Sequence, residues 1–340
     1  MTWFDDHKKL FLAAFLFFVG LTVVVAITPA LRNEKINRPL PGAAPMSADA
    51  IAGKRLYIAN GCVACHTQQV RNVDMDKMWG KRPSLAADYA AIRRTDFWRN
   101  TATLMGTERT GPDLTDVGNR QSSPEWNLTH LYNPRILVKE SVMPAYPWMF
   151  EIKATPAKGD VVVNVPAEFL NGATGKVVAK KEALQLLAYL LSLKQTKLPD
   201  GTAAPAFLYK KQGADTTGGG GEAAVELDGN LLYATHCQAC HQQNGEGLAG
   251  AFPPLKGSKI VLADSIDQYI EIIMKGYSGR AAEGFGVMPA VGDNANLTPE
   301  EVTAIANHER TSWGNTDHKV TVDEVKKVME FLKSNPPQTN

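Results

Sequence analysis

An all-α chain, with one membrane-spanning helix near its amino end followed by two copies of a small helical unit, is the architecture that three features predict. The first is an uncharged stretch from Leu10 to Leu31. The second is the pattern C-x-x-C-H, present at Cys62-Val63-Ala64-Cys65-His66 and again at Cys237-Gln238-Ala239-Cys240-His241. The third is the tetrapeptide Val-Met-Pro-Ala, at Val142–Ala145 and Val287–Ala290, each copy following its own C-x-x-C-H.

As a helix the Leu10–Leu31 stretch would reach about 33 Å, enough to cross a bilayer. The rival reading is a cleaved signal peptide, whose apolar part is usually shorter, roughly 7–15 residues. A retained anchor is expected. Flanking charge leaves its orientation open, because Lys8 and Lys9 before the span face Arg32, Lys35 and Arg38 after it. The 340 residues suit two or three domains, and a formal charge of +1 gives no basic field for nucleic acid, so that class of partner is set aside.

All four cysteines lie in the two repeated pentapeptides. C-x-x-C-H is the attachment signal for c-type haem, in which two thiols form thioethers with the vinyl groups and the adjacent histidine reaches the iron. A redox dithiol needs no following histidine, and a zinc ribbon spaces its two C-x-x-C knuckles by about 15–20 residues, unlike the gap from Cys65 to Cys237. Two covalently bound haems c follow, with Cys62, Cys65, Cys237 and Cys240 as attachment points and His66 and His241 as proximal ligands. Methionine is ordinarily adaptable core filler. A proline after it stiffens the loop and pushes the methionine toward extended geometry. Met143 and Met288 therefore read as the second axial ligands, whereas Met75, Met78, Met105 and Met149 read as packing. Between the ligands of each site lies a proline turn, Thr110-Gly111-Pro112-Asp113-Leu114 and Phe252-Pro253-Pro254-Leu255. A carbonyl at Pro112 or Pro253 can accept the other ring N–H of the proximal histidine and set its tautomer.

Repetition extends to the flanks. Gly53-x-x-x-Tyr57 and Gly229-x-x-x-Tyr233 each set a glycine and an aromatic on one helix face, suited to a close helix crossing. Closing helices are expected over Lys180–Lys194, after Thr298-Pro299-Glu300-Glu301, and after Thr321-Val322-Asp323-Glu324, the last two with N-cap and capping-box residues. Val161–Val163 and Val177–Val178, within Lys158–Val178, suggest a small β-hairpin inserted in the first unit. The expected order is a stub over 1–9, an anchor over 10–31, a first domain over 45–198, a Gly-rich tether over 199–223 and a second, separately mobile domain over 224–335.

The runs Arg109–Leu114, Val117–Arg120, Glu125-Trp126, His130–Arg135 and Glu140–Trp148, with Cys65-His66-Thr67-Gln68-Gln69-Val70-Arg71, closely resemble the membrane-anchored mono-haem subunit of cbb-type cytochrome c oxidases over roughly residues 1–150. The second unit is similar to class I cytochromes c, through Leu232–His241, Gly245–Gly247, Phe252–Gly257 and Thr311–Asn315. The oxidase family's anchored subunit ordinarily carries one haem, so a second C-x-x-C-H is a departure. The resemblance favours Arg109 and Arg135 over Arg120 as partners of haem propionates, assigns His130 a structural or propionate-side role, and sets His308 where similar chains carry an aromatic.

The resemblance also implies a bacterial inner-membrane protein, single-pass, with both haem domains periplasmic and the first nine residues cytoplasmic. With both axial positions filled there is no open iron for a substrate. The expected function is electron relay from a soluble cytochrome c or similar periplasmic donor to the catalytic subunit of a haem-copper oxidase, with no catalysis by this chain alone. The alternatives are a relay for a nitric oxide reductase, a periplasmic dehydrogenase or a quinol-oxidising complex, and a dihaem peroxidase, which the two methionines disfavour.

Overall fold

A computed structural model describes residues 5–91, 104–106, 108–208, 227–280 and 283–335. The Gly-rich run at 212–224 lies outside the described residues. The chain divides into two compact units, Met1–Met46 with Leu85–Met105 and Ser47–Ser84 with Gly106–Asn340.

In the first unit, α1 (His7–Leu21), a π turn (Thr22–Ile27) and α2 (Thr28–Ile36) run on as one helix of 30 residues, about 45 Å long. Asp6 caps it by accepting from the backbone N–H groups of Lys8 and Lys9. The π turn has a local cause in Pro29, which lacks an N–H and crowds the carbonyl one turn back. The backbone N–H and the hydroxyl of Thr28 both donate to the Val23 carbonyl, five residues earlier. Among the described residues this is the one helix long and apolar enough to cross a membrane, and it is a candidate membrane anchor. The short α4 (Ala86–Ala91) belongs to the same unit.

The second unit begins with α3 (Ala48–Ala59), which carries the chain into the first C-x-x-C-H. After α5 (Val117–Arg120) and α6 (Pro124–Tyr132), three strands, β1 (Phe150–Lys153), β2 (Val162–Val163) and β3 (Lys176–Ala179), lead into α7 (Lys181–Ser192). The second motif follows α8 (Gly229–His236) and opens α9 (Gln238–His241). Then come α10 (Asp267–Lys275), α11 (Val291–Ala295), α12 (Pro299–Thr311) and α13 (Val322–Ser334). Helices α12 and α13 start with full capping boxes, Thr298 with Glu301 and Thr321 with Glu324. Each box satisfies two backbone donors that a helix end otherwise leaves unpaired.

The expected hairpin is present as β2 and β3, but it is one edge of a three-stranded antiparallel sheet of order β1-β3-β2, with Phe150 opposite Ala179. The added strand has a structural use. It leaves the loop of Met143 through Pro147–Met149 and pairs with the strand that enters α7, and the Lys180 N–H donates to the Met149 carbonyl. The methionine loop is thus tied to the closing helix.

Two glycine crossings bring the opening and closing helices together. A methyl group at Gly53 would lie 1.9 Å from the Gln185 carbonyl oxygen, and one at Gly229 would lie 2.2 Å from that of Ala304. Beneath each glycine sits a buried tyrosine, Tyr57 against Tyr189 at 5.4 Å and Tyr233 against Trp313 at 4.9 Å and His308 at 5.2 Å. His308 is therefore a packing residue, its Nδ1 3.2 Å from the Ser312 hydroxyl.

The regions of both C-x-x-C-H motifs fall within one compact unit, Ser47–Ser84 with Gly106–Asn340. Trp126 Nε1 donates to the Ala239 carbonyl at 3.2 Å, Asn294 Nδ2 to that of Asn119 at 2.6 Å and Asn164 Nδ2 to that of Gly250 at 2.7 Å.

Helix propensity alone would make Gly229→Ala stabilising by about 1 kcal/mol. The carbonyl in its way reverses the sign, because overpacking against backbone typically costs about 1–3 kcal/mol. The expected result is a lowered thermal midpoint, read by circular dichroism.

Candidate functional site

One cavity of about 700 Å³ is lined by both motifs: Cys62, Cys65 and His66 from the first, Cys237, Cys240 and His241 from the second. Pro112, Met143, Pro253 and Met288 line it as well. Helices α7 and α12 close it with Leu186, Leu190 and Ile305.

The histidines are held alike. His66 Nδ1 lies 2.8 Å from the Pro112 carbonyl and His241 Nδ1 lies 2.9 Å from that of Pro253. A carbonyl can only accept, so Nδ1 carries the proton in each ring and Nε2 keeps its lone pair. Burial lowers the pKa of both histidines, and the carbonyl bonds oppose it only in part. Neutral imidazole, the form that ligates a metal, is favoured. At Gly111 a methyl would fall 2.3 Å from His66 Cε1, so the chain can pass over the imidazole only as glycine.

The motif backbones turn tightly in both copies: the N–H groups of His66 and His241 donate to the carbonyls of Cys62 and Cys237. Tyrosines from the opening helices reach the same turns, Tyr233 donating to the Gln242 carbonyl at 2.6 Å and Tyr57 to that of His66 at 3.5 Å. Burial pushes the thiol of Cys62 up to about 11 and that of Cys240 up to about 12, and raises Cys237 too. Met143 stands in an irregular loop where its N–H meets the Ser141 hydroxyl at 3.3 Å. Met288 exchanges two backbone hydrogen bonds with Tyr277, at 2.9 and 3.0 Å, which hold its loop against the end of α10.

The arginines part company. Arg109 is away from the cavity lining and binds carboxylates: it donates to Asp76 and approaches Asp113 at 3.5 Å, and it also donates to Gln69 O and Thr67 Oγ1. Burial raises the pKa of Asp76, but hydrogen bonds from Arg71 and then Arg109 outweigh it and hold the acid at about 2. Arg135 is exposed and also off the cavity. Of these three arginines Arg120 lines it, lying 4.9 Å over the ring of Trp79 and donating to the Asp113 carbonyl at 2.7 Å; Arg280 lines it as well, in an ion pair with Glu283. Its Nε is buried without a hydrogen-bond partner. Burial lowers its pKa to about 10, which still leaves it charged at neutral pH. His130 lines the cavity too, stacked on Trp126 at 4.5 Å with Nδ1 unpartnered, and burial depresses its pKa to about 4.

Two pairs of thiols, two oriented neutral imidazoles, two Pro-stiffened methionines and an unpaired guanidinium nitrogen on one apolar cavity fit covalently held haem, with an arginine for its anionic edge. This is the site of a c-type cytochrome. Residues 1–184 match the family described as cytochrome c oxidase, mono-heme subunit/FixO, and residues 227–313 match cytochrome c. The chain belongs to the mono-heme subunit/FixO family and carries a cytochrome c domain behind the FixO-like one.

Similar proteins include a cytochrome c-552 of Thermus thermophilus, 36% identical over 118 residues, covering 32% of this chain and 79% of that protein. The cytochrome c subunit of a quinone alcohol dehydrogenase from Gluconacetobacter polyoxogenes is 29% identical over 128 residues, 36% of this chain and 26% of that protein. The cbb3-type cytochrome c oxidase subunit FixP of a Bradyrhizobium species is 32% identical over 95 residues, 27% of this chain and 32% of that one. The chain is thus an electron-transfer cytochrome related to oxidase and quinone-dehydrogenase subunits, and its cytochrome c domains imply covalently bound haem c.

Replacing Arg109 by methionine removes the shared cation of two buried carboxylates while keeping side-chain bulk. Hydrogen bonds to charged groups contribute about 1.5–3 kcal/mol, so a loss of about 2–3 kcal/mol is expected by denaturant titration, with the haem absorption of the folded protein unchanged.

Proposed function

We propose that this chain is a membrane-anchored dihaem relay that takes electrons from a periplasmic protein donor and delivers them to the catalytic subunit of a haem-copper oxidase of the cbb type. The observation that carries the reading is the duplicated histidine geometry, with Nδ1 on a proline-turn carbonyl in both copies and a Pro-stiffened methionine on the same cavity. When bound, haem c supplies a one-electron ferric/ferrous couple. Cys62 and Cys65, and Cys237 and Cys240, would anchor it, and His66 with Met143 and His241 with Met288 would ligate its iron. Arg120, rather than Arg109 or Arg135, neutralises propionate at the first site, since it lines the cavity with its Nε unpartnered while Arg109 is engaged by two acids.

The membrane-facing partner is assigned from the FixO likeness of residues 1–184, and the haem domains are assigned to the periplasmic side with the anchor retained. Electrons enter at the second site and leave by the first, which belongs to the FixO-like part. The hydrogen bond from Trp126, next to the first site, to Ala239, inside the second motif, supports direct transfer between them. The likeness to a dehydrogenase cytochrome subunit supports a second reading, in which the oxidising partner is a different membrane complex.

Two c-type haems per chain are expected in a pyridine haemochrome assay, and Met143→Ala and Met288→Ala should each turn one of them high-spin; a single haem, or two unaltered spectra, refutes the ligand assignment. The order of transfer is checked in chains assembled with the partner complex. Cys237→Ser with Cys240→Ser should abolish or strongly slow oxidation of a protein donor yet spare oxygen uptake with a small-molecule reductant. The same changes at Cys62 and Cys65 should stop both, and equal losses from the two pairs would show the order to be wrong.

A further inference from the structure

The buried stripe of α12 runs Val302, Ile305, Ala306 and then Glu309, the spacing that turns one helix face inward. The fourth member is a carboxylic acid where the pattern calls for an apolar side chain. Glu309 is 3% exposed, and it lines the cavity on the side of the second motif. Its partners are neutral. Tyr269 of α10, itself buried, donates its hydroxyl to Glu309 Oε2 at 2.7 Å, and the Cys237 thiol hydrogen-bonds to the same carboxyl.

No cation pairs with it among the described residues. Arg310, the next residue, is turned to other acceptors: the carbonyls of His318, Val261 and Ala263 and the carboxylate of Asp317. Tyr233 on α8 and Cys237 also face Glu309, and His236, His241, Tyr277 and Arg280 line the same cavity, Arg280 being held in an ion pair with Glu283. Thioether formation removes the Cys237 thiol proton. Helix α13 meets α12 with Val325, Val328 and Met329, which do not titrate.

A buried acid without a cation resists ionisation, and a change of charge in the same low-dielectric cavity alters that resistance. Burial raises the Glu309 pKa to about 7 against the bonds from Tyr269 and the free Cys237 thiol; once the thioether has formed, the Tyr269 bond alone opposes the burial. The proton is therefore exchangeable near neutral pH.

We propose that Glu309 is a redox-linked proton site, taking up a proton when the His241/Met288 haem is reduced and releasing it when that haem is oxidised. This rests on the haem reading above. In the forward step the protein donor supplies one electron, which takes ferric iron to ferrous, and water supplies one proton, which takes the Glu309 carboxylate to the acid; oxidation by the first site reverses both. Reduction adds negative charge to the cavity, so the pKa of Glu309 is higher in the reduced state than in the oxidised. By reciprocity, the midpoint potential of this haem falls as pH rises between those two values and is level outside them.

The test is a spectroelectrochemical titration of the haem-loaded full chain from about pH 5.5 to about pH 8.5, alongside Glu309→Gln, which keeps shape and polarity but cannot take up the proton. Expected are two redox waves in the unaltered chain, one descending with pH, and loss of that descent in the variant with the other wave unmoved. Infrared redox-difference spectra should show a protonated-carboxyl C=O band on reduction that vanishes in the variant. Should Glu309→Gln not fold, Tyr269→Phe removes the donor that favours the anion and should move the descending window to higher pH. An unchanged descent in Glu309→Gln, no shift in Tyr269→Phe, or no carboxyl band overturns the assignment. A chain with one redox wave and one haem overturns the dihaem reading and this one together.

Discussion

Both sites depend on two places where a helix backbone comes within reach of another, with only a glycine hydrogen between them. Gly53 under Gln185 and Gly229 under Ala304 set the separation of opening and closing helices more tightly than any side chain would permit. At that crossing Tyr57 and Tyr233 are buried and extend their hydroxyls to the motif turns. The turns then deliver cysteines and histidine to the cavity wall, and the proline carbonyls finish the orientation of the rings. The crossing also tolerates different company: Tyr189 backs one tyrosine, His308 and Trp313 the other.

The site was legible in the sequence where chemistry demands fixed spacing. C-x-x-C-H, the paired Met-Pro loops and the glycine-tyrosine pairs are local patterns, and capping boxes announce α12 and α13 within four residues each. What escaped depends on contacts made at a distance. Phe150–Lys153 is too short to declare itself a strand, and it lies outside the Lys158–Val178 segment whose two valine runs suggest the hairpin. Which arginine meets the cavity is decided by the two acids that draw Arg109 away, Asp76 lying 33 residues from it in the chain and Asp113 only one helical turn on; spacing could not rank such partners. Glu309 follows His308 and precedes Arg310, so in sequence it resembles one more charge on a solvated helix end. Only the burial of its face sets it apart.

The two halves of the cavity share a plan but differ in their charged lining. Around the first motif stand the Arg120 guanidinium, the neutral ring of His130 and the exposed Glu140; around the second, the buried acid of Glu309 with a tyrosine hydroxyl on it, and Arg280 in an ion pair with Glu283. The C-x-x-C-H motif and the Met-Pro loop recur in both halves, where the chemistry allows little choice. The surrounding wall differs between the halves, and charge there alters how readily a bound haem takes an electron.

The bonds that join the two halves come from an indole and four primary amides: Trp126, Asn294, Asn164 and Gln242 donate to backbone carbonyls, and Gln121 to the Cys240 sulfur. Among the described residues no ion pair crosses the same boundary. Charge-steered docking weakens as ionic strength rises, because the screening length shrinks to about 10 Å at 0.1 M salt. A seam of neutral donors and carbonyls has no such dependence, so this contact persists in brine that would dissociate an electrostatic encounter.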